Sequence, residues 1–181
     1  MTILFGNILC AVGALFSFYA TYRLGCSNNT KVVFKFSGMA SLLVGVGSVV
    51  IGSWPTVFLN IVWLSLSVMG YLGKSMPKCF SVLSNALCVF VVIGVAAILS
   101  GQFSLAAIAC ASIYIVSYSA FAGSLISRSK YLMWGLIGYV LFVGHLYEVQ
   151  NYSVLIMETI SFILGIISLI KIRLLENVNF N

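Results

Sequence analysis

FSGMASLLVGVGSVVIGSWPTVFLNIVWLSLSVMGYLG, the stretch Phe36–Gly73, decides the fold. It lies between Lys35 and Lys74 without one charged residue, and only Gly52-Ser53-Trp54-Pro55 interrupts its apolar run. A helix needs about 20 apolar residues to cross roughly 30 Å of hydrocarbon, so the run is long enough for two crossings. Gly at the end of one helix and Pro at the start of the next mark a tight turn between them. The pattern predicts one span over about Val32–Ile51 and another over about Pro55–Leu72.

The rest of the chain has the same character. Of its 181 residues, 62% are hydrophobic and 7% charged, against roughly 25% charged in an ordinary soluble domain. A soluble fold of this length would leave about a third of its chain surface wet and has nowhere to hide so much apolar area. In a bilayer each backbone amide must be paired internally, which leaves helical bundles or closed barrels. Barrel strands alternate apolar and polar residues, whereas these runs are continuously apolar, so the expected fold class is all-α integral membrane.

Further spans follow from the same criterion: about Ile3–Tyr22, Cys79–Leu99, Phe103–Ile126, Tyr131–Tyr147 and Tyr152–Ile170, seven in all. The first of them has no basic segment before it and reads as a retained helix rather than a cleaved signal. Seven spans put all nine Lys and Arg on one side. Arg23, Lys31 and Lys35 fall in the first turn on that side, Lys74 and Lys78 in the second, Arg128 and Lys130 in the third, and Lys171 and Arg173 in the tail. The other side, with Gly52–Pro55, Gly101–Gln102 and Glu148–Asn151, has none. Lys and Arg are held on the cytoplasmic side, so the expectation is an amino terminus outside and a carboxyl terminus in the cytoplasm. Six or eight spans would split the cations between the two faces.

The formal charge of +6 is thus explained by topology. Without a basic patch interleaved with aromatics, nucleic acid is not an expected partner. The five cysteines lack C-x-x-C spacing, and three lie inside apolar spans, which points to packing rather than to disulfides or a metal site.

Three spans, a link and three spans is a pattern to test for duplication. Sliding residues 3–72 onto 101–170, an offset of 98, aligns the turns on both sides without a gap. It places Gly25 on Gly123, Trp54 on Tyr152 and Asn60 on Glu158. Asn60, Trp63, Ser67 and Gly70 recur at i, i+3, i+7 and i+10, one face of a helix, and Glu158, Ser161, Gly165 and Ser168 coincide with them. A three-helix unit is inverted across the membrane, so a single linking helix, residues 79–99, restores parallel orientation to a second copy over 103–170. Packing of small residues explains part of the same pattern.

Glu158 is the most informative candidate. Six residues into its span, it stands about 9 Å along the helix from the outer end. An ionised carboxylate there costs at least a few kcal/mol unless it is paired or hydrated. Two roles fit, a solute- or proton-binding carboxylate and a hydrogen-bonded structural acid. His145, thirteen residues earlier, falls in the outer half of the neighbouring span, where a His–Glu pair could exchange a proton near neutral pH; a headgroup-level histidine bonded to Glu148 or water fits equally. Asn60 has the matching depth in the first half, as ligand-binding amide or as helix glue. Trp63, one turn inward, stacks on a ligand or packs. One His and three acids, with no nucleophile elbow, phosphate loop or metal-ligand cluster, point away from an enzyme and from any cofactor.

Gly52-Ser53-Trp54-Pro55 with Leu59-Asn60, followed by His145 and Met157-Glu158 in the final pair of spans, resembles the small bacterial inner-membrane proteins of the YgjV type. In that family a Tyr-Pro turn precedes a Leu-Asn, and a His is followed thirteen residues on by an intramembrane Met-x-Glu; Met133 and Trp134 fall slightly off its spacing. The resemblance covers most of the chain at low identity and implies a bacterial inner-membrane location. Behind it stands the SWEET, semiSWEET and PQ-loop superfamily, with triple-helix bundles in a 3+1+3 arrangement. There an Asn on helix 3 and another on helix 7 line the solute pocket. Asn60 matches the first; Glu158 stands at the second, a departure from the sugar-transporter pattern, and the PQ dipeptide is absent. The resemblance therefore implies architecture more than substrate.

These readings together lead to two expectations. One is a transporter of a small polar solute working by alternating access, with a pocket at Asn60, Glu158, His145 and Trp63 and with proton coupling through Glu158. The other is a non-transporting accessory or assembly protein whose polar residues lock helices together. The bilayer is the partner common to both, and a homo-oligomer is compatible with either.

Overall fold

The computed structural model describes residues 2–26, 29–73, 91, 94–95, 98, 105–148 and 152–178. Among them are six helices: α1 (Thr2–Cys26), α2 (Thr30–Ile51), α3 (Trp54–Leu72), α4 (Leu105–Ala122), α5 (Arg128–Glu148) and α6 (Tyr152–Val178), and no strand. The expected span Cys79–Leu99 lies outside the described residues except for Val91, Gly94, Val95 and Ile98, each of which is helical. Lys74 and Lys78 also lie outside them.

The turn that opened the sequence reading is present with the expected chemistry. Gly52 closes α2 at φ 83°, a left-handed conformation open to residues without a Cβ. Its N–H donates to the Val49 carbonyl at 3.1 Å and that of Ser53 to the Ser48 carbonyl at 2.9 Å, so the last carbonyls of α2 are satisfied. Pro55 then occupies the first turn of α3, where its missing N–H costs nothing. At the other end of α2 the Asn29 side chain accepts from the Lys31 N–H at 3.2 Å, an amino-terminal cap.

Helix ends depart from the expected spans where hydrocarbon and helix are different things. α1 continues past Tyr22 to Cys26 and α6 past Ile170 to Val178. Hydropathy marks the apolar stretch, but backbone hydrogen bonding carries the helix on past it, into the segments that bear Arg23, Lys171 and Arg173. α5 likewise starts at Arg128 rather than Tyr131. α4 does the opposite, stopping at Ala122 and not at Ile126. There Ser124 takes φ 57°, while the Ser124 N–H bonds the Phe121 carbonyl at 3.0 Å and that of Leu125 bonds Ala120 at 2.8 Å. This is the same closing motif that Gly52 makes, built on a serine.

The helices close a ring. α1 packs against α2 and α6, α2 against α3, α3 against α4, α4 against α5, and α5 against α6. Close approaches are made by small residues. A Cβ on Gly25 of α1 would stand 2.6 Å from the Ser168 Cβ of α6, and one on Gly47 of α2 would stand 2.7 Å from the Gly6 carbonyl oxygen of α1. Gly38 and Gly45 of α2 lie against Ser67 and Asn60 of α3.

Contacts between helix ends gather the described cations at one end of the ring. Ser168 Oγ donates to the Thr21 carbonyl at 3.0 Å, and Arg128 Nη1 to the Leu24 carbonyl at 3.4 Å. Lys171 Nζ lies 3.6 Å from Cys26 Sγ and 4.8 Å from the centroid of the Tyr22 ring. The end of α1, the starts of α2 and α5 and the last third of α6 therefore share one level, and with them Arg23, Lys31, Lys35, Arg128, Lys130, Lys171 and Arg173.

Side chains are distributed inside out relative to a water-soluble bundle. Ile156, Ile160, Ile163, Ile167 and Ile170 of α6 point outward, while Ser168 on the same helix is 2% exposed. Ser41, Ser48, Ser67, Ser117 and Ser119 are also buried, whereas Leu4, Leu15 and Val140 are more than half exposed. Large apolar side chains turned outward over serines turned inward are stable only where the surroundings are apolar. Among the described residues three helices are long and apolar enough to cross a membrane: Ile3–Cys26, Thr30–Ile51 and Leu155–Leu174, at mean hydropathies of 1.9, 1.7 and 2.1. Thr56–Leu72 and Ile108–Ala122 are shorter apolar helices. The chain is an all-helical, membrane-associated protein.

Candidate functional site

Tyr118 is the centre of the packed interior. It is fully buried, its ring stacked on Trp63 of α3 at 5.0 Å and 26° and edge-on to Phe34 of α2 at 5.9 Å. Its hydroxyl is 2.9 Å from Ser67 Oγ, which itself donates to the Trp63 carbonyl at 2.8 Å. A buried tyrosine hydroxyl needs such a partner. The bond fixes α3 against α4, the seam between the first three helices and the last three.

One turn along α4 stands Tyr114. Its ring meets Trp63 edge-on, centroids 6.0 Å apart, and its hydroxyl donates to Glu158 Oε2 of α6 at 3.4 Å. That is long for an O–H···O bond, which ordinarily spans 2.5–3.0 Å, so the carboxylate is oriented but not saturated. Glu158 is partly buried, and among the described residues it makes no ion pair. Trp63, Tyr114 and Glu158 thus form one row across three helices, with Tyr114 as the shared member. The ring of Tyr114 also covers Gly138 of α5, where an added Cβ would come within 2.7 Å of it; this glycine holds the tyrosine in place.

Asn60 lies on the inward face of α3. It precedes Ser67 by seven residues, about 20° apart around the helix, and its Cβ is 3.4 Å from where a Cβ would stand on Gly45 of α2. Its Nδ2 donates to the Thr56 carbonyl one turn back, at 2.8 Å, which engages one of the two N–H donors of the amide. The structure brings Trp63 and Glu158 to a common partner; Asn60 is one turn from Trp63 on the same helix, and its described contacts lead to α2 and not to Glu158. His145 falls within α5, but its side chain lies outside the described residues, and with it the His–Glu pair. Two further polar contacts tie α6 into the ring: Tyr139 Oη to Thr159 Oγ1 at 2.9 Å, and Ser168 to Thr21.

Sequence reasoning missed Tyr114 and Tyr118. A signal was present: two tyrosines four residues apart inside an apolar span, each carrying a hydroxyl that hydrocarbon cannot satisfy. The described site contains acceptors and aromatic rings, with no lysine or arginine among its members. No protein-family model matches this chain, and neither a curated protein nor a solved structure matches it. The site must be read from its own chemistry.

Proposed function

We propose that this chain is a multi-pass protein of the bacterial cytoplasmic membrane that moves a small polar solute by alternating access. The observation that carries the reading is the row Trp63–Tyr114–Glu158. An acid inside an apolar bundle is expensive and is retained where it meets a solute, a proton or a partner, and here it is joined to a tryptophan across the seam between the two sets of three helices. The offset of 98 supports the same reading. It carries the first residue of α2, Thr30, onto Arg128, the first of α5, and Trp54, the first of α3, onto Tyr152, the first of α6. Exchanging α1, α2 and α3 with α4, α5 and α6 also maps the set of packed pairs onto itself. Paired repeats with the solute site at their seam are the usual build of secondary transporters. In this reading residues 79–99 form the linking helix of a seven-span 3+1+3 arrangement related to the YgjV-type and SWEET proteins, with the cationic end in the cytoplasm. Proton exchange at Glu158, with His145 as donor or acceptor, couples movement to a gradient.

Uptake into proteoliposomes from a mixed solute panel, wild type against Glu158→Gln, tests the proposal. Solute-specific uptake abolished by the substitution is expected; unchanged uptake of an identified solute removes the coupling role of Glu158. A second reading, a non-transporting accessory membrane protein, is favoured by Asn60, whose amide bonds its own helix and packs on Gly45 as helix glue does. It predicts that Glu158→Gln lowers thermal stability in detergent while no solute stabilises the wild type.

A further inference from the structure

The chemistry of the Glu158 site selects among solute classes, and the inference rests on the transporter reading. We propose that the site takes an organic ammonium: a small amine, protonated, with an apolar body.

Four features converge on this class. Glu158 offers a carboxylate held by one long bond from Tyr114, so acceptor capacity is left on both oxygens. Asn60 spends one of its two Nδ2 hydrogens on Thr56, and its carbonyl oxygen is a further acceptor one turn from Trp63 on the inward face of α3. Trp63 and Tyr114 present π-systems beside the acid, with Tyr118 behind them; a cation within about 6 Å of such a ring centroid is attracted by its quadrupole. The described cations stand at the far end of the ring, so no Lys or Arg competes for the carboxylate at this level.

An anion at this site would face Glu158 with no positive partner. A neutral polyol could hydrogen-bond the same acceptors but would leave the charge of Glu158 unpaired. An ammonium group supplies both N–H donors and a compensating charge to the carboxylate, and its carbon body lies against the aromatic rings of the row. Tryptophan fits this task better than tyrosine or phenylalanine, since its ring quadrupole binds cations most strongly. Tyr114 is then a positioning residue. Its hydroxyl holds Glu158 Oε2, and its ring stands edge-on to Trp63.

A matched ligand series on the purified wild-type protein in uncharged detergent tests the class. Radiolabelled phenethylamine is bound at equilibrium and competed with unlabelled phenethylamine, 2-phenylethanol and phenylacetate, molecules of similar size that differ in charge. Saturable binding displaced by the amine and by neither other compound is expected. Glu158→Gln should weaken it at least about tenfold, the loss of a charge-assisted contact. Trp63→Ala should weaken it several-fold, with Trp63→Phe retaining part. Competition by 2-phenylethanol or phenylacetate as strong as by the amine overturns the proposal, as does the absence of saturable amine binding. These outcomes use wild-type protein, so they decide the class even if a variant fails to fold. Uptake separates the two levels. Glu158-dependent uptake of a neutral or anionic solute overturns the ammonium class and leaves transport standing, whereas saturable amine binding without uptake of any solute overturns transport and leaves the site.

Discussion

Replacing Gly25 by alanine puts a methyl group into a close approach between α1 and α6. Its Cβ would stand 2.6 Å from the Ser168 Cβ and 2.7 Å from the Ser168 Cα and Oγ, against the 3.4 Å at which ordinary contact begins. Ser168 is 2% exposed and donates to Thr21 at 3.0 Å, so it has nowhere to turn; α1 and α6 must part instead. Overpacking of this kind costs about 1–3 kcal/mol, and loss of the Ser168–Thr21 bond adds roughly 0.6 kcal/mol in a membrane interior. The expected effect is a loss of about 2–4 kcal/mol, or a thermal midpoint lower by on the order of 5–10 °C in detergent, followed by size-exclusion chromatography or a thiol-reactive dye. Gly135→Ala is the control, because nothing lies within 4 Å of its Cβ position; it should leave the midpoint unchanged or raise it slightly through helix propensity. Adding Ser168→Gly to Gly25→Ala should restore part of the loss, the Ser168 Cα clash remaining. A Gly25→Ala protein as stable as wild type would refute the α1–α6 contact and with it the closed ring.

Ser124→Gly relieves a serine held at φ 57° and should stabilise by about 1 kcal/mol, seen as a midpoint a few degrees higher; no change would mean that the α4 end is not closed as described. Tyr118→Phe removes the hydroxyl that meets Ser67 but leaves Ser67 bonded to the Trp63 carbonyl, so a loss of about 0.5–1.5 kcal/mol is expected, with the helix content in circular dichroism retained. Glu158→Gln keeps the shape of the side chain and its bond to Tyr114, so it should fold and elute as wild type does while solute uptake is abolished. A Glu158→Gln protein that aggregates in every detergent would instead favour the accessory reading.

The positions of the helices were legible because their boundaries are chemical events. Gly52 ends α2 and Pro55 opens α3 for reasons local to four residues, and the uncharged runs are as long as a bilayer requires. The gathering of the described cations at one end was legible for the same reason, since charge is excluded from hydrocarbon wherever it can be. Helix pairing was not legible. That Gly25 meets Ser168, and that Tyr118 rather than Asn60 bridges the seam, depends on rotations and crossing angles that apolar composition does not encode. Glu158 and Trp63 stood out in the sequence because an acid and a polar-phased tryptophan are rare within apolar runs, and the structure sets both against Tyr114. Tyr114 was passed over because an aromatic in a span reads as packing until the partner of its hydroxyl is known. The end of α4 was misplaced because serine, unlike glycine, rarely marks a left-handed helix cap.

The proposed site requires apolar surroundings and a cationic end that faces the cytoplasm. A cysteine-free background carrying Trp54→Cys or Lys130→Cys, treated in intact cells with a membrane-impermeant maleimide, measures that directly. Both residues are exposed and stand at opposite ends of the ring. Labelling of Trp54→Cys from outside, and of Lys130→Cys only after the membrane is opened, is the predicted result. Labelling of Lys130→Cys in intact cells would contradict the orientation, and release of the protein from membranes by alkaline carbonate would contradict the fold itself.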